Sequence, residues 1–204
     1  MPVSSLPSPY GIGSFGQAAF RFIDFLDATG QTCWQVLPLN PTSYGDSPYQ
    51  SPSSVAGNPY FIDLDILASK GLLTKKELQE QKNNSKRVDY GWLYQTRYAV
   101  LRTAYSRFSP GNAYKAFIKK NRAMLDNYAL FMALKVRYNH CQWTLWDSQH
   151  RDYQKAITHK DEFAEEMGFW CWVQYEFLPN GRLFWTMPIK KAFSSSVICP
   201  SMLP

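Results

Sequence analysis

The amino-acid sequence predicts an α/β fold that continues into a long, mainly helical region. An amphipathic stretch that predicts a helix is followed by a short apolar segment, 32–39, which is bounded by turn residues and predicts a buried strand. A helix and a strand in this order form half of a β-α-β unit. The predicted strand leads into a long polar loop, 40–58. Loops that leave strands at their carboxyl ends build the binding sites of parallel α/β folds, so this loop is the candidate site.

Local signals predict where the helices begin and end. Ser14 is predicted to cap a helix that runs to Ala28 and that Gly30 terminates. Thr74 stands three residues before a glutamate, which is the spacing of a capping box. Residues 63–177 are therefore predicted to form a mainly helical insertion. Its further helices are expected over 90–108, 112–120, 125–138 and 161–177.

The composition and the charge exclude several classes of function. The 204 residues carry a formal net charge of +6, but Lys and Arg are scattered over polar helical stretches, which indicates solvated faces rather than a nucleic-acid interface. No segment is long and apolar enough to span a membrane, and no signal peptide is predicted. The four cysteines form no Cys-x-x-Cys pair and only three histidines are present, so neither a metal nor a cofactor is predicted. Widely spaced thiols favour the reducing cytoplasm.

Five short strings resemble the opening of the 4-α-glucanotransferase (amylomaltase) family. They are SLPSPYGIG at 5–13, WQVLPL at 34–39, YGDSPYQS at 44–51, AGNP at 56–59 and YALFMALK at 128–135. The resemblance covers about residues 1–178, with Asn40 at a position where the family usually has Gly. It implies the N-terminal part of a (β/α)8 TIM barrel with a large helical insertion. The first β/α units, with the substrate-binding loop, would lie within residues 1–62.

The resemblance implies that Ser47 and Tyr49 approach the glucose units of an α-1,4-glucan near the bond that is cleaved. The loop suits such a ligand, because aromatic rings stack on the apolar faces of sugars while small polar groups bond the hydroxyls. Tyr44 and Tyr49 offer rings, and Asp46, Ser47 and Gln50 offer polar groups. The expected partners are therefore maltooligosaccharides, and the oligomeric state is left open.

Purely structural interpretations stand beside these assignments. Tyr49 follows a proline and can pack against its surroundings, and Asp46 and Ser47 are ordinary turn formers. The adjacent Glu165 and Glu166 suit the dipole of a helix start better than acid/base chemistry. The histidines lie in polar stretches and form no triad with a nearby Ser and Asp. Three tryptophans are expected to be packed: Trp34, Trp143 and Trp146.

The resemblance also implies a retaining double displacement, in which one carboxylate attacks the anomeric carbon and a second acts as acid and then base. The family's catalytic carboxylates lie later in the barrel and have no counterpart here, so the chain is predicted to be truncated and inactive. The codons for 185–200, read two bases later, permit the family-like DYANKKGIQLIGDMP. Residues 178–204 are therefore predicted to be a frameshifted, non-native tail. The alternative is a stand-alone α-glucan-binding module without catalysis.

Overall fold

The structure is a computed structural model that describes residues 1–43 and 45–186, with side chains as far as residue 178. This part of the chain forms nine α-helices and four 3-10 turns, and no β-strand. The helices are α1 (Gln17–Ala28), α2 (Leu64–Ser69), α3 (Lys75–Glu80), α4 (Tyr90–Ser106), α5 (Asn112–Lys120), α6 (Arg122–Arg137), α7 (Ser148–Arg151), α8 (Tyr153–Thr158) and α9 (Ala164–Thr186). The 3-10 turns are Val3–Ser5, Pro59–Phe61, Trp143–Leu145 and Lys160–Phe163.

The chain divides into two compact units, and α9 contributes residues to both. The first unit holds Met1–Phe108 and the residues from Glu176, and the second is Ser109–Tyr175. Helices α2, α3 and α4, which the sequence analysis assigned to the helical insertion, belong to the first unit.

The core of the first unit is rich in aromatic rings. The ring centroid of Phe15 lies 5.9 Å from that of Phe61 and 5.8 Å from that of Phe177, both in edge-on contact. Leu93 and Leu101 of α4 are fully buried. The inner face of α1 joins this core with three residues at helical spacing: Ala19, Ile23 and Leu26.

The ends of α1 agree only partly with the prediction. Gly30 has a left-handed φ of 72°, and the N–H of Gln31 donates to the carbonyl of Leu26 at 2.9 Å, so the predicted termination is confirmed. The predicted cap at Ser14 is wrong, because the helix begins after Gly16. The hydroxyl of Ser14 instead donates to the carboxylate of Asp63 at 2.6 Å.

The predicted buried strand at 32–39 is not formed. Within residues 1–43 and 45–186 the only bridge pairing outside helices is an isolated parallel one between Tyr10 and Asn83. Trp34 is buried as expected, and its Nε1 donates to the carbonyl of Met1 at 2.6 Å, whereas Leu37 is 40% exposed. A strand needs a neighbour to accept its ladder of hydrogen bonds, and the described residues supply none. The helical part of the expected α/β fold is therefore observed without its sheet.

The second unit is built from α5 to α8 and the first part of α9. Its core cluster consists of Leu130, Leu134, Trp146 and Ala156, with Phe131 and Met167 among the side chains packed against it. The rings of Tyr128 and Trp170 meet edge-on at 6.2 Å and join α6 to α9.

The last helix runs further than the sequence indicated. It extends from Ala164 to Thr186, past the expected end at residue 177. Residues 187–204, the larger part of the predicted frameshifted tail, lie outside the described residues. In the part of the chain that the structure covers, no helix combines the length and the apolar character needed to cross a bilayer.

Candidate functional site

The loop at 40–58 is closed at its base by two hydrogen bonds. Nδ2 of Asn40 donates to the carbonyl of Ala56 at 3.3 Å, and the backbone N–H of Asn58 donates to the carbonyl of Leu39 at 2.8 Å. Both asparagines are buried. The long loop therefore starts and ends at one place, in the manner of a compact Ω-loop. Asn40 makes one of the two closing bonds with its side chain.

Serine side chains organise the C-terminal half of the loop. Oγ of Ser53 accepts hydrogen bonds from the N–H groups of Val55 at 3.3 Å and Ala56 at 3.1 Å. Oγ of Ser51 donates to the carbonyl of Ser53 at 2.7 Å. Bonds of this kind satisfy backbone groups that no regular element pairs. This half of the loop consequently has a defined shape.

Gly57 is required by a close approach at the end of the loop. A Cβ atom at this position would lie 1.9 Å from Cδ1 of Phe177, far inside the van der Waals separation of two carbon atoms. Phe177 is itself buried and belongs to the aromatic core. The base of the loop therefore rests directly on the ring of a core residue.

The tip of the loop consists of two turns closed on each other. Gly45 and Asp46 have left-handed backbones, with φ of 89° and 57°, and aspartate is one of the few residues that tolerate this region. The N–H of Asp46 donates to the carbonyl of Ser43 at 3.0 Å, and that of Gln50 donates to the carbonyl of Ser47 at 3.1 Å. The N–H of Ser43 donates back to the carbonyl of Gln50 at 3.2 Å.

The four residues predicted to bind substrate lie together on this tip. The side chain of Tyr49 is 76% exposed, so its ring does not pack against its surroundings. Oγ of Ser47 accepts the N–H of Tyr49 at 3.3 Å, a turn-forming bond that does not use the hydroxyl hydrogen. Gln50 is exposed and Asp46 is half-buried. Tyr44, the second ring expected in the loop, lies outside the described residues.

The carboxylate of Asp46 influences two tyrosines at the start of the helical region. Burial raises the pKa of Asp46 itself. Burial, and after it the charge of Asp46, raises the pKa values of Tyr60 and Tyr90, so both phenols stay protonated. Pro48 and Tyr90 line the same cleft, of about 50 Å³. The tip of the loop is therefore seated close to the beginning of α4.

A row of tyrosines on α4 continues from that point and was not predicted from the sequence. Tyr90, Tyr94 and Tyr98 are four residues apart and share a face of the helix. The ring of Tyr60 lies 6.2 Å from that of Tyr90 and 5.9 Å from that of Tyr98. Tyr94 is 52% exposed. The spacing of four between rings was the signal in the sequence that could have identified this row.

A larger cavity lies elsewhere in the first unit. It measures about 800 Å³, and Phe22, Phe25 and Arg21 of α1 line it together with Asp65. None of the four predicted binding residues contributes to its wall. The predicted binding residues therefore lie outside this cavity, and Tyr49 among them is exposed on the surface.

In the second unit the structure corrects two expectations. Trp146 is buried and its ring stacks on that of Tyr138 at 5.5 Å, as expected, whereas Trp143 is 55% exposed. His150, expected in a polar setting, is buried with its Nδ1 2.7 Å from the hydroxyl of Tyr138.

Among the residues that the structure covers, no group of three or more His, Cys, Asp or Glu side chains could hold a metal ion.

A family model, curated proteins and solved structures that resemble this chain point to the same family. Residues 1–180 match the family model described as 4-alpha-glucanotransferase. The 4-alpha-glucanotransferase of Clostridium butyricum is 46% identical over 188 residues, which cover 89% of this chain and 39% of that protein. The enzyme of the same name from Thermus thermophilus is 43% identical over 182 residues, covering 85% and 36% of the two chains.

The fold is also that of solved members of this family. The amylomaltase from Streptococcus agalactiae, in complex with acarbose, superposes with a TM-score of 0.80 at 34% identity, over 88% of this chain and 38% of that one. The present chain spans about two fifths of the length of the curated relatives it matches. Because the family model covers nearly the whole of the described sequence, the chain belongs to the 4-α-glucanotransferase family.

Proposed function

We propose that the family's reaction is the transfer of a segment of a 1,4-α-D-glucan to the 4-position of an acceptor sugar, and that the loop at 40–58 of this chain binds the glucan. Family membership supports the reaction. The observation that carries the assignment of the site is the exposed ring of Tyr49 on a loop whose base is hydrogen-bonded. Maltooligosaccharides are accordingly the proposed ligands.

The chemistry of the tip suits a chain of glucose units. The ring of Tyr49 offers a flat apolar platform, and Ser47, Asp46 and Gln50 beside it offer hydrogen-bonding groups. Because the turns already fix the backbone, little conformational entropy is lost when a sugar binds. The exposed Tyr94 extends the aromatic surface along α4.

We further propose that α1 and the segment 32–39 belong to a (β/α)8 barrel, and that the retaining displacement uses carboxylates outside residues 1–177. Glu176 does not serve as one of them, because it is 1% exposed and is paired with Lys70. The 204 residues alone are therefore proposed to be inactive. Free thiols at the three described cysteines support the cytoplasm as the compartment.

A stand-alone glucan-binding module is the second candidate. The observation in its favour is that the loop, its closing bonds and its core contacts all lie within one compact unit. Such a module binds maltooligosaccharides and melts cooperatively but transfers nothing.

The binding site is tested by calorimetric titration of the 204-residue chain with maltoheptaose. Tyr49→Ala is expected to weaken binding by roughly tenfold while the melting temperature stays unchanged, because an exposed ring contributes little to folding. Tyr153→Ala removes a tyrosine of the second unit that is 46% exposed, and it should leave the affinity as it was. Equal affinities of the native chain and Tyr49→Ala would exclude the loop as the site.

A further inference from the structure

An ion pair between an exposed lysine and a buried glutamate joins the end of α2 to α9 in the first unit. Nζ of Lys70 lies 2.5 Å from Oε2 of Glu176. The side chain of Glu176 is 1% exposed, whereas that of Lys70 is 40% exposed. Removing the Glu176 carboxylate from water is costly, and its attraction to a lysine that is still exposed is screened by solvent. Stability alone is therefore a weak explanation for this pair.

The residue that follows Glu176 supports the glucan-binding loop. The ring of Phe177 occupies the space where a Cβ of Gly57 would lie. The centroid of the same ring lies 5.8 Å from that of Phe15. Successive residues on a helix are rotated by about 100° around its axis. The ion pair at Glu176 therefore acts on the same turn of α9 that directs Phe177 at Gly57.

The contact at Gly57 is transmitted directly to the closed base of the loop. The next residue, Asn58, donates the backbone hydrogen bond to Leu39 at 2.8 Å, and Ala56, which precedes Gly57, accepts the bond from Asn40. A displacement of Phe177 would thus move the residue that lies between the two closing bonds.

We propose that Lys70 and Glu176 are positioning residues that hold the glucan-binding loop in its binding shape. The pair fixes α9 against α2, Phe177 supports Gly57, and the loop base stays closed. The inference rests on the proposed function of the loop, and neither residue of the pair touches the glucan.

The test replaces both charges, Lys70→Met together with Glu176→Leu. The double change removes the buried carboxylate together with its partner and leaves no unpaired charge in the interior, so the melting temperature is expected to change little. The Kd for maltoheptaose is nevertheless expected to rise about tenfold, as it does when a protein spends a tenth of its time in the binding shape. Hydrogen exchange of the Ala56, Gly57 and Asn58 amides should accelerate, with the amides of α4 unchanged.

The exposed pair Arg107–Glu77, 2.7 Å apart in the same unit, supplies the matched control. Arg107→Met should leave both the Kd and the exchange of the loop amides unchanged. An unaltered Kd and unaltered exchange in the double variant overturn the proposal. If the double variant does not fold, Glu176→Gln replaces it, since this variant keeps an acceptor for Lys70. It is expected to show a smaller change in the Kd and in the exchange of the loop amides. If neither quantity changes, the proposal is overturned.

The two proposals can fail separately. If the native chain does not bind maltoheptaose, the proposed function fails, and the exchange measurement still decides whether the ion pair positions the loop. Faster exchange confined to residues 56–58 supports the positioning role, and exchange equal to that of the native chain refutes it.

Discussion

Arg107 donates to both carboxylate oxygens of Glu77, at 2.7 Å to Oε1 and 2.8 Å to Oε2. The same carboxylate accepts the N–H of Thr74 at 2.8 Å and completes the capping box of α3. Arg107, which follows the last residue of α4, is therefore bonded to the glutamate of the capping box of α3. The bonds from Arg107, followed by those from Thr74, hold the pKa of Glu77 at about 2.

This pair predicts a specific response to acid. Because the pKa of Glu77 is lower in the folded chain than its ordinary 4.5, the stabilisation is present above pH 4.5 and is lost as the pH falls towards 2. Arg107→Met is expected to raise the pKa of Glu77 towards the ordinary value. Carbon-13 NMR titration of the Glu77 carboxyl group in the two proteins measures this. A Glu77 titration that is identical in both proteins contradicts the assignment.

Gly57→Ala is expected to destabilise the first unit by about 1–3 kcal/mol, the usual cost of overpacking. The added Cβ would collide with the ring of Phe177 at 1.9 Å. Phe177→Leu in the same chain should recover part of the loss, because the smaller side chain makes room. Urea denaturation gives these free energies of unfolding.

The control for this substitution is Gly111→Ala. An added Cβ there meets no heavy atom within 4 Å, and the φ of −88° suits any residue. Because Gly111 caps α5, the expected cost is that of a weaker N-cap, about 1 kcal/mol or less, and smaller than that of Gly57→Ala. Equal effects of the two alanine substitutions would show that Phe177 does not support Gly57.

Arg97→Met is expected to cost on the order of 3 kcal/mol of unfolding free energy, because two bonds from a buried charged donor are lost. Nη2 of Arg97 donates to the carbonyl of Tyr10 at 3.0 Å, and Nη1 donates to that of Ile62 at 3.3 Å. Burial lowers the pKa of Arg97 to about 10, so the side chain still carries its charge at neutral pH. Arg151→Met, at an exposed position, is the comparison and should change the unfolding free energy little. Comparable losses in both variants would argue against this role.

The 204-residue chain on its own is expected not to disproportionate maltotriose. Neither step of the double displacement has its carboxylate within residues 1–177, according to the family resemblance. Glucose release is the measurement, with the full-length relative from Clostridium butyricum as the positive control. Detectable transfer by the purified chain would refute this expectation.

Helix ends were predictable where the deciding contacts are local. The cap at Thr74 and the stop at Gly30 depend on bonds to residues at most five positions away, so the sequence order contains the information. Ser14 was misassigned because its partner Asp63 is 49 positions distant. Burial of His150 beside Tyr138 likewise results from the packing of separate helices, which single-residue polarity does not indicate.

The candidate loop could be located from the sequence, but its shape could not. A long run of Pro, Gly and Ser predicts an irregular segment, and the family-like string within it predicts the binding residues. The bond from Asn40 to Ala56 spans 16 positions and has no periodic signature. The segment 32–39 was predicted to be a strand because of its apolar composition. Strand formation also requires a neighbouring strand to pair with, and composition does not reveal whether one is present.

Both bonds that close the loop end on backbone carbonyls, those of Ala56 and Leu39. Neither uses a side chain of positions 43–50, so the tip can be exchanged as a unit while Ser51 and Ser53 keep the second half of the loop in shape. Grafting the corresponding stretch from a relative that prefers longer or shorter oligosaccharides should therefore transfer that preference, visible in the length distribution of the bound sugars.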